Sequence, residues 1–303
     1  MKDSIDFLIC NYNGGILLRK CIDSILNVDL SNIHIYVYDN ASEDNSLDLI
    51  RNFNSDQLTI VKGKINIGYG RAINKLFDIS KSNNIFILNP DAELEFNNVE
   101  IEELINKSDN NFIFGFNILN LDGSNQNFLA AEPNYKWIIG GLLRIGFPGI
   151  IEPFYKKYFS TSVSNTPIND SGNCVDFVSG CALLMKRTSF LQIGKFNKEY
   201  FLYFEDTELL HKAKKMGFCI KKSELRIRHN ASYSFRNSSH LIKVQKYRSA
   251  LIYFNNTRGY LYSVFIKICI ITIAILSLFN PINIFKRKLG MYFANLISIC
   301  FKN

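Results

Sequence analysis

Asp39, Asp91, the adjacent pair Glu205-Asp206 and His229 have the types and settings that suit chemistry. Asp91 follows the apolar run 85–88 by way of Asn89-Pro90. A carboxylate there can hold Mg2+ or Mn2+ against a diphosphate, because such hard ions take one or two carboxylates and fill their other positions with phosphate oxygens. A nucleotide leaving group needs its diphosphate neutralised in this way. The plainer reading is a turn cap after Pro90. Asp39 ends the run 33–38 and can accept hydrogen bonds from a ribose hydroxyl or a base N–H; an Asx turn with Asn40 competes. Glu205-Asp206 opens a helical pattern behind Tyr200, Phe201, Tyr203 and Phe204. Acidic residues complement a helix N-terminus. An apolar aromatic wall would also raise a carboxylate pKa toward neutrality, as a general base for an acceptor hydroxyl requires. One of the two can cap while the other does the chemistry. His229, in Arg226-Ile227-Arg228-His229-Asn230, reads as structural or, with its flanking arginines, as a second candidate beside Asp91 for holding a metal-bound diphosphate.

The elements that must position these residues follow an alternating pattern. Residues 5–10, 33–38, 58–61 and 85–88 are short apolar runs that read as buried strands. Between them lie helical patterns: 16–26, a segment capped by Ser42 and Asp44 that carries Leu47, Leu49, Ile50 and Phe53, and one near 70–80. This rhythm predicts an α/β fold, a doubly wound and mostly parallel sheet with helices on both faces. Ligands bind such sheets at the carboxyl ends of the strands. The runs expected there are Asn11-Tyr12-Asn13-Gly14, Asp39-Asn40-Ala41-Ser42, Asn66-Ile67-Gly68-Tyr69-Gly70-Arg71 and Asn89-Pro90-Asp91. Asn120-Leu121-Asp122-Gly123 is a turn signal. Residues 136–166 lack a clear period and read as a long excursion. Residues 205–216 read as a helix stopped by Gly217.

The charge is unevenly placed. From Leu225 to Asn303 there are twelve Lys or Arg and no Asp or Glu, whereas the first 224 residues carry 23 basic and 27 acidic side chains. The chain is thus an acidic body with a basic tail. That tail is also rich in Ile, Leu, Phe and Tyr, which favours an anionic membrane surface over nucleic acid. The uninterrupted apolar stretch 268–279 is twelve residues, short of the roughly 20 that a span needs. Leu289, Tyr292, Phe293, Leu296 and Cys300 share one helical face, so the tail is expected to lie on the membrane rather than cross it. A span would also place Lys286-Arg287-Lys288 outside. The seven cysteines are scattered without a CxxC, which predicts neither a disulfide framework nor a zinc site and points to a reducing compartment. Residues 7–10 are too short an apolar run for a secretory signal at this start.

Seven runs in order across residues 5–235 resemble family 2 glycosyltransferases of the GT-A fold, especially bacterial rhamnosyltransferases of O-antigen and cell-wall polysaccharide assembly. They are Ile9-Cys10-Asn11-Tyr12-Asn13, Tyr38-Asp39-Asn40-Ala41-Ser42, Asn66-Ile67-Gly68-Tyr69-Gly70-Arg71-Ala72-Ile73-Asn74, Leu88-Asn89-Pro90-Asp91-Ala92, Val178-Ser179-Gly180-Cys181-Ala182-Leu183-Leu184-Met185-Lys186-Arg187, Gly194-Lys195-Phe196, and Phe201-Leu202-Tyr203-Phe204-Glu205-Asp206-Thr207-Glu208-Leu209. The resemblance implies that Asn11, Tyr12 and Asp39 contact the nucleoside, with Asn13 and Arg71 on the same rim, and that Asn66, Gly68 and Asn74 shape the nucleotide pocket. Asp91 matches the last position of a DxD metal motif, here reduced to Asn89-Pro90-Asp91, and Asp206 matches a catalytic base. The only tryptophan is Trp137, so the QxxRW motif of processive synthases is absent and addition of one sugar is implied.

The implied reaction is inverting transfer from a nucleotide-diphosphate sugar, dTDP-L-rhamnose first, to a polyprenyl-diphosphate-linked saccharide at the cytoplasmic face of a bacterial inner membrane. A UDP-hexose or amino-sugar donor, or a non-catalytic nucleotide-sugar-binding scaffold, stay open. The expected organisation is a nucleotide-sugar half at 1–110, an acceptor and catalytic half at 111–235, and a basic, apolar, membrane-associating helical tail at 236–303. A dehydrogenase would want GxGxxG after the first strand, where only Gly14-Gly15 occurs. A nucleotidyltransferase would want a glycine-rich loop with a basic residue, which Gly14-Gly15 with Arg19 and Lys20 imitates poorly.

Overall fold

The computed structural model describes residues 4–30, 32–53, 56–107, 110–126, 132–147, 174–230 and 240–278, together with Ala294, Asn295, Ile297, Ser298 and Cys300. The predicted face of Leu289, Tyr292, Phe293 and Leu296, and the run Lys286-Arg287-Lys288, lie outside the described residues. The chain divides into two compact units, one of residues 1–129, 165–201 and 205–236, the other of 130–164, 202–204 and 237–303.

The first unit opens with the expected alternation: β1 (Ile5–Asn11), α1 (Gly15–Leu26), β2 (Ile33–Asp39), α2 (Ser46–Ile50), β3 (Leu58–Lys62), α3 (Tyr69–Ile79) and β4 (Asn84–Leu88). It continues with β5 (Ala92–Leu94), α4 (Asn98–Asn106) and β6 (Phe112–Leu119). Six strands run in one direction: β1 pairs in parallel with β2 and β4, β2 with β3, and β6 with β8 (Cys219–His229), while β7 (Ala182–Lys186), antiparallel to both β4 and β6, aligns the two groups. The sheet order is β3-β2-β1-β4-β7-β6-β8-β5. β7 (Ala182–Lys186) enters between β4 and β6 antiparallel to both, and β8 (Cys219–His229) pairs antiparallel with β5. The half built from 182–229 thus makes the sheet mixed.

β1 reads as a continuous apolar run because both of its faces are covered. Ile5, Phe7 and Ile9 point to one core with Leu18, Cys21, Ile22 and Ile25 of α1 and Ile101 and Ile105 of α4. Leu8 and Cys10 point to the other with Ala72, Ile73, Leu76 and Phe77 of α3. That second core also takes Phe190 and Ile193 of α6 (Arg187–Ile193) and Leu209, Leu210 and Ala213 of α7 (Glu205–Lys215). Each such side chain contributes ~1.5–3 kcal/mol by leaving water. The helix expected to run to Phe53 ends at Ile50, and its start differs too. Ser42, predicted to cap it, instead accepts from Asn11 Nδ2 and Asn13 N, so its hydroxyl fastens the loop after β1.

The cysteine expectation is corrected. Cys174 and Cys219 form a disulfide, Cα–Cα 5.3 Å, across 45 residues. Spacing cannot reveal it, because the pair meets only when Val175 N–H donates to Ile220 O at 2.7 Å alongside the start of β8. The inference of a reducing compartment from the scattered cysteines loses its basis.

The second unit contains α5 (Tyr135–Gly146), α8 (His240–Arg258) and α9 (Tyr260–Leu278). α5 lies in the stretch that reads as aperiodic. Asn134 caps it by accepting from Lys136 N, and Ile138 and Leu142 bury one side. Gly140-Gly141 disguises the pattern, yet a Cβ at Gly141 would come within 3.3 Å of Tyr247 Oη on α8. Tyr253 Oη donates to Glu132 Oε1 at 2.9 Å, and Arg258 pairs with the same oxygen at 3.0 Å. α9 buries Ser263, Ile266, Ile270 and Ala274 and exposes Tyr260, Leu261, Phe265, Ile268, Ile275 and Leu276.

Candidate active site

The carboxyl ends of β1 and β2 are knotted by side chains. Asn11 is fully buried. Its Nδ2 donates to Asp39 Oδ1 at 2.9 Å and to Ser42 Oγ at 3.1 Å, and its Oδ1 accepts from Gly14 N at 3.2 Å. A Cβ at Gly14 would fall 2.4 Å from Asn11 Oδ1, so the close approach requires glycine. Asp39 Oδ2 accepts from Ser42 N, three residues on, at 3.2 Å. Asn13, at φ +53°, accepts from Glu43 N, while Tyr12 stays half exposed. The knot extends to the third loop, because Asn40 Oδ1 accepts from Ile67 N at 2.8 Å.

In that third loop Asn66 Oδ1 accepts from Gly68 N at 3.0 Å. Gly68 has φ +88°, and a Cβ there would lie 2.3 Å from Phe201 O. Glycine therefore lets the start of α3 reach Phe201, whose carbonyl accepts from Tyr69 N at 3.0 Å. Two predicted rim residues are committed elsewhere. Arg71 Nε donates to Lys198 O at 2.7 Å. Asn74 is buried, donates to Phe196 O at 2.8 Å and accepts from Phe196 N at 3.1 Å. It braces the turn after α6 rather than offering its amide to a ligand.

Asp91 and His229 meet. The antiparallel pairing of Ala92 with His229 brings Asp91 Oδ1 to 3.2 Å from His229 Nε2, both largely buried. Burial opposes charge on the imidazole, but the neighbouring Cys181 and the hydrogen bond and charge of Asp91 push its pKa up to about 10. Asn89 Nδ2 lies 3.5 Å from the same Nε2. On the far side of the ring, Nδ1 is 3.1 Å from Gln126 Oε1, and Gln126 Nε2 donates to His229 O at 2.8 Å. Among the described residues no group of three or more His, Cys, Asp and Glu is arranged to hold a metal. Asp91 and His229 offer one oxygen and one nitrogen, which fits an ion that completes its shell with diphosphate and water.

The acidic pair sits at the start of α7. Tyr203 and Phe204 both take φ +69°, conformations of ~1–3 kcal/mol cost each that deliver the chain into the helix. Glu205 is buried, and its Oε2 has no hydrogen-bond partner among the described residues. Burial first, then the neighbouring Asp206 charge, pushes its pKa up to about 8. The Asp206 pKa is also raised by burial, against hydrogen bonds from Thr207 and the Gly180 backbone. Asp206 Oδ1 accepts from Thr207 N at 2.7 Å.

Gly180-Cys181 links the two acidic centres. A Cβ at Gly180 would lie 2.1 Å from Asp206 Oδ2, while Cys181 O accepts from Asn89 N at 2.9 Å. The same dipeptide therefore touches Asp206 and the loop that carries Asp91. Gly180, Cys181 and Gln126 have no chemical signature in the sequence; only the glycine hints at a close approach.

Comparison with known proteins gives the family and the fold. The model of glycosyl transferase family 2 matches residues 6–187. An N-acetylglucosaminyl-diphospho-decaprenol L-rhamnosyltransferase of Mycobacterium tuberculosis is 23% identical over 232 residues, 72% of this chain and 73% of that protein. A low-salt glycan biosynthesis hexosyltransferase of Haloferax volcanii is 26% identical over 231 residues, 74% of this chain and 66% of that protein. The solved structure of a mannosyltransferase from Pyrobaculum calidifontis, in complex with GDP-Man and Mn2+, matches with a TM-score of 0.57 at 13% identity, covering 100% of this chain and 87% of that one, a likeness of fold. With more than half of its length matched and its strand-end carboxylates gathered on one rim, the chain belongs to glycosyl transferase family 2 and has the GT-A fold.

Proposed function

We propose that this glycosyltransferase moves one sugar, L-rhamnose from dTDP-rhamnose as the first choice, onto a polyprenyl-diphosphate-linked saccharide, with inversion, in the assembly of a surface polysaccharide such as O-antigen. The observation that supports this reading is the Gly180-Cys181 dipeptide, which abuts Asp206 on one side and bonds the Asn89 backbone, in the loop that carries Asp91, on the other. Asp206 takes the proton of the acceptor hydroxyl. That oxygen bonds to the anomeric carbon as the bond to the donor diphosphate breaks, and the nucleoside diphosphate departs with the electron pair. Glu205, kept neutral by its surroundings, leaves the negative charge on Asp206, two carboxyl groups with separated roles. Asp91 and His229 would hold Mg2+ or Mn2+, which would supply neutralisation of charge on the leaving diphosphate. Asn11 and Asp39 form a rigid floor for the nucleoside, with Tyr12, Asn13, Asn66 and Gly68 around it.

The acceptor class is supported by the decaprenol-linked substrate named for the Mycobacterium relative. A peripheral site on the cytoplasmic face of the inner membrane is supported by the exposed apolar side of α9, in a stretch from Leu225 onward that has twelve basic residues and no acidic one.

A donor screen tests the reading. Purified protein with Mn2+ is offered dTDP-rhamnose, UDP-glucose, UDP-galactose and UDP-N-acetylglucosamine with lipid-diphosphate saccharides. Transfer from dTDP-rhamnose, with the largest thermal stabilisation by that nucleotide, is the expected result. Transfer from a UDP-sugar alone replaces the donor, and nucleotide binding without turnover on any acceptor overturns the catalytic reading. Sedimentation with phosphatidylglycerol vesicles tests the membrane part: wild type pellets, whereas Leu261→Glu/Phe265→Glu stays in the supernatant. Equal pelleting of the two would remove α9 from that role.

A further inference from the structure

We propose that Gln126 is a positioning residue that fixes the His229 ring in its Nδ1–H tautomer, so that Nε2 joins Asp91 in presenting a divalent-cation site. This rests on the assignment of Asp91 and His229 to the metal.

The argument begins with the amide. Gln126 Nε2 donates to His229 O at 2.8 Å. The opposite amide orientation would set Oε1 against a carbonyl oxygen, two acceptors facing each other, so the contact assigns the amide. Oε1 then lies 3.1 Å from His229 Nδ1. An amide oxygen can only accept, so Nδ1 carries the hydrogen. The other nitrogen, Nε2, faces Asp91 Oδ1 at 3.2 Å; a carboxylate also only accepts, so a cation bound there takes the place of the Nε2 proton. A ring flipped by half a turn would point carbon at both partners and lose both contacts.

Gln126 is itself held by a hairpin that the proposed mechanism leaves unused. Gln126 N donates to Ile118 O at 2.8 Å, one pair beyond the bridge between Leu119 and Asn125. The turn between them is the Asn120–Gly123 signal: Gly123 at φ +80° donates to Asn120 O, and Ser124 N donates to Asp122 Oδ1 at 2.9 Å. Asp91 and the His229 backbone are tied together by the β5–β8 pairing and by the Asn230 N to Asp91 O bond of 3.0 Å. The pairing sets where the ring is attached, and Gln126 sets which nitrogen it offers. Outer partners of metal-bound histidines act this way, and losing one weakens metal affinity ~10–100-fold.

The test is Mn2+ titration of the full chain without nucleotide, read from the electron paramagnetic resonance signal of the free ion, for wild type, Gln126→Met, Gln126→Glu and Asp91→Asn. Thermal midpoints are measured alongside. Gln126→Met keeps the bulk but loses the acceptor, and its Mn2+ affinity is expected to fall ~10–100-fold at an unchanged midpoint. Gln126→Glu keeps an acceptor for Nδ1–H but turns a second oxygen toward His229 O, where the amide donates, so its affinity is expected to fall less than that of Gln126→Met. If Gln126→Met binds Mn2+ like wild type while Asp91→Asn does not, the role of Gln126 is overturned and the metal site stands. If Asp91→Asn is indistinguishable from wild type, the metal assignment fails, and the inference with it.

Discussion

The Asn11–Asp39 knot and the Glu205-Asp206 pair both bury carboxyl groups on the rim of one sheet, yet they satisfy them to opposite degrees. Each Asp39 oxygen accepts a hydrogen bond, and both ends of the Asn11 amide are engaged. Hydrogen bonds to a charged group each contribute ~1.5–3 kcal/mol, so the knot holds its shape. Glu205 leaves Oε2 without a partner among the described residues, and its pKa rises to about 8. Asp206 is raised too, and a glycine without room for a Cβ is pressed against it. A buried carboxyl that is fully bonded builds a platform. One that is under-bonded costs stability and is retained where a proton must move.

Four substitutions break or sharpen that contrast. The largest effect is expected from Asp206→Asn. It should lower transfer ~1000-fold or more, in the upper part of the range for a general base, with donor-induced thermal stabilisation preserved. Near-normal turnover would assign the base elsewhere. Gly180→Ala should come next. The added methyl displaces the Asp206 carboxylate, and misplacement by about 1 Å costs ~100-fold in rate. Steady-state kinetics should show the loss in kcat, and an unchanged kcat would mean that Asp206 need not sit where it does.

Glu205→Gln probes stability instead. Glu205 keeps its proton up to about pH 8 in the folded chain and ionises near 4.5 in the unfolded one. Between those values the folded state binds more protons, so stability falls as pH rises through the window. The glutamine variant should lack that slope and exceed wild type by up to ~4 kcal/mol at pH 8, with no gain from this source below pH 4.5. Denaturant titrations at both pH values decide it; parallel pH profiles would show Glu205 to be ordinarily ionised. Asp39→Asn should have the smallest effect of the four, weakening nucleotide affinity ~5–10-fold by calorimetry as one charge-assisted bond is lost. A loss as large as that of Asp206→Asn in turnover would erase the distinction between platform and reactive pair.

The sequence by itself determined the local features of this protein. The apolar runs of β1 to β4, the helix stopped at Gly217, the turn at Asp122-Gly123 and the carboxylates Asp39, Asp91 and Asp206 at element ends all follow from periodicity, capping and turn chemistry over a few residues. Tertiary structure alone decided what those features meet. It set β7 antiparallel between β4 and β6 and joined Cys174 to Cys219. It committed Asn74 to Phe196 and brought Gln126 to His229 across 103 residues. It also put Gly180 against Asp206 and Cys181 against the loop of Asp91. Such contacts depend on strand order and register, which no short stretch of chain encodes: a one-residue slip in β8 would turn Cys219 and His229 to the other face of the sheet.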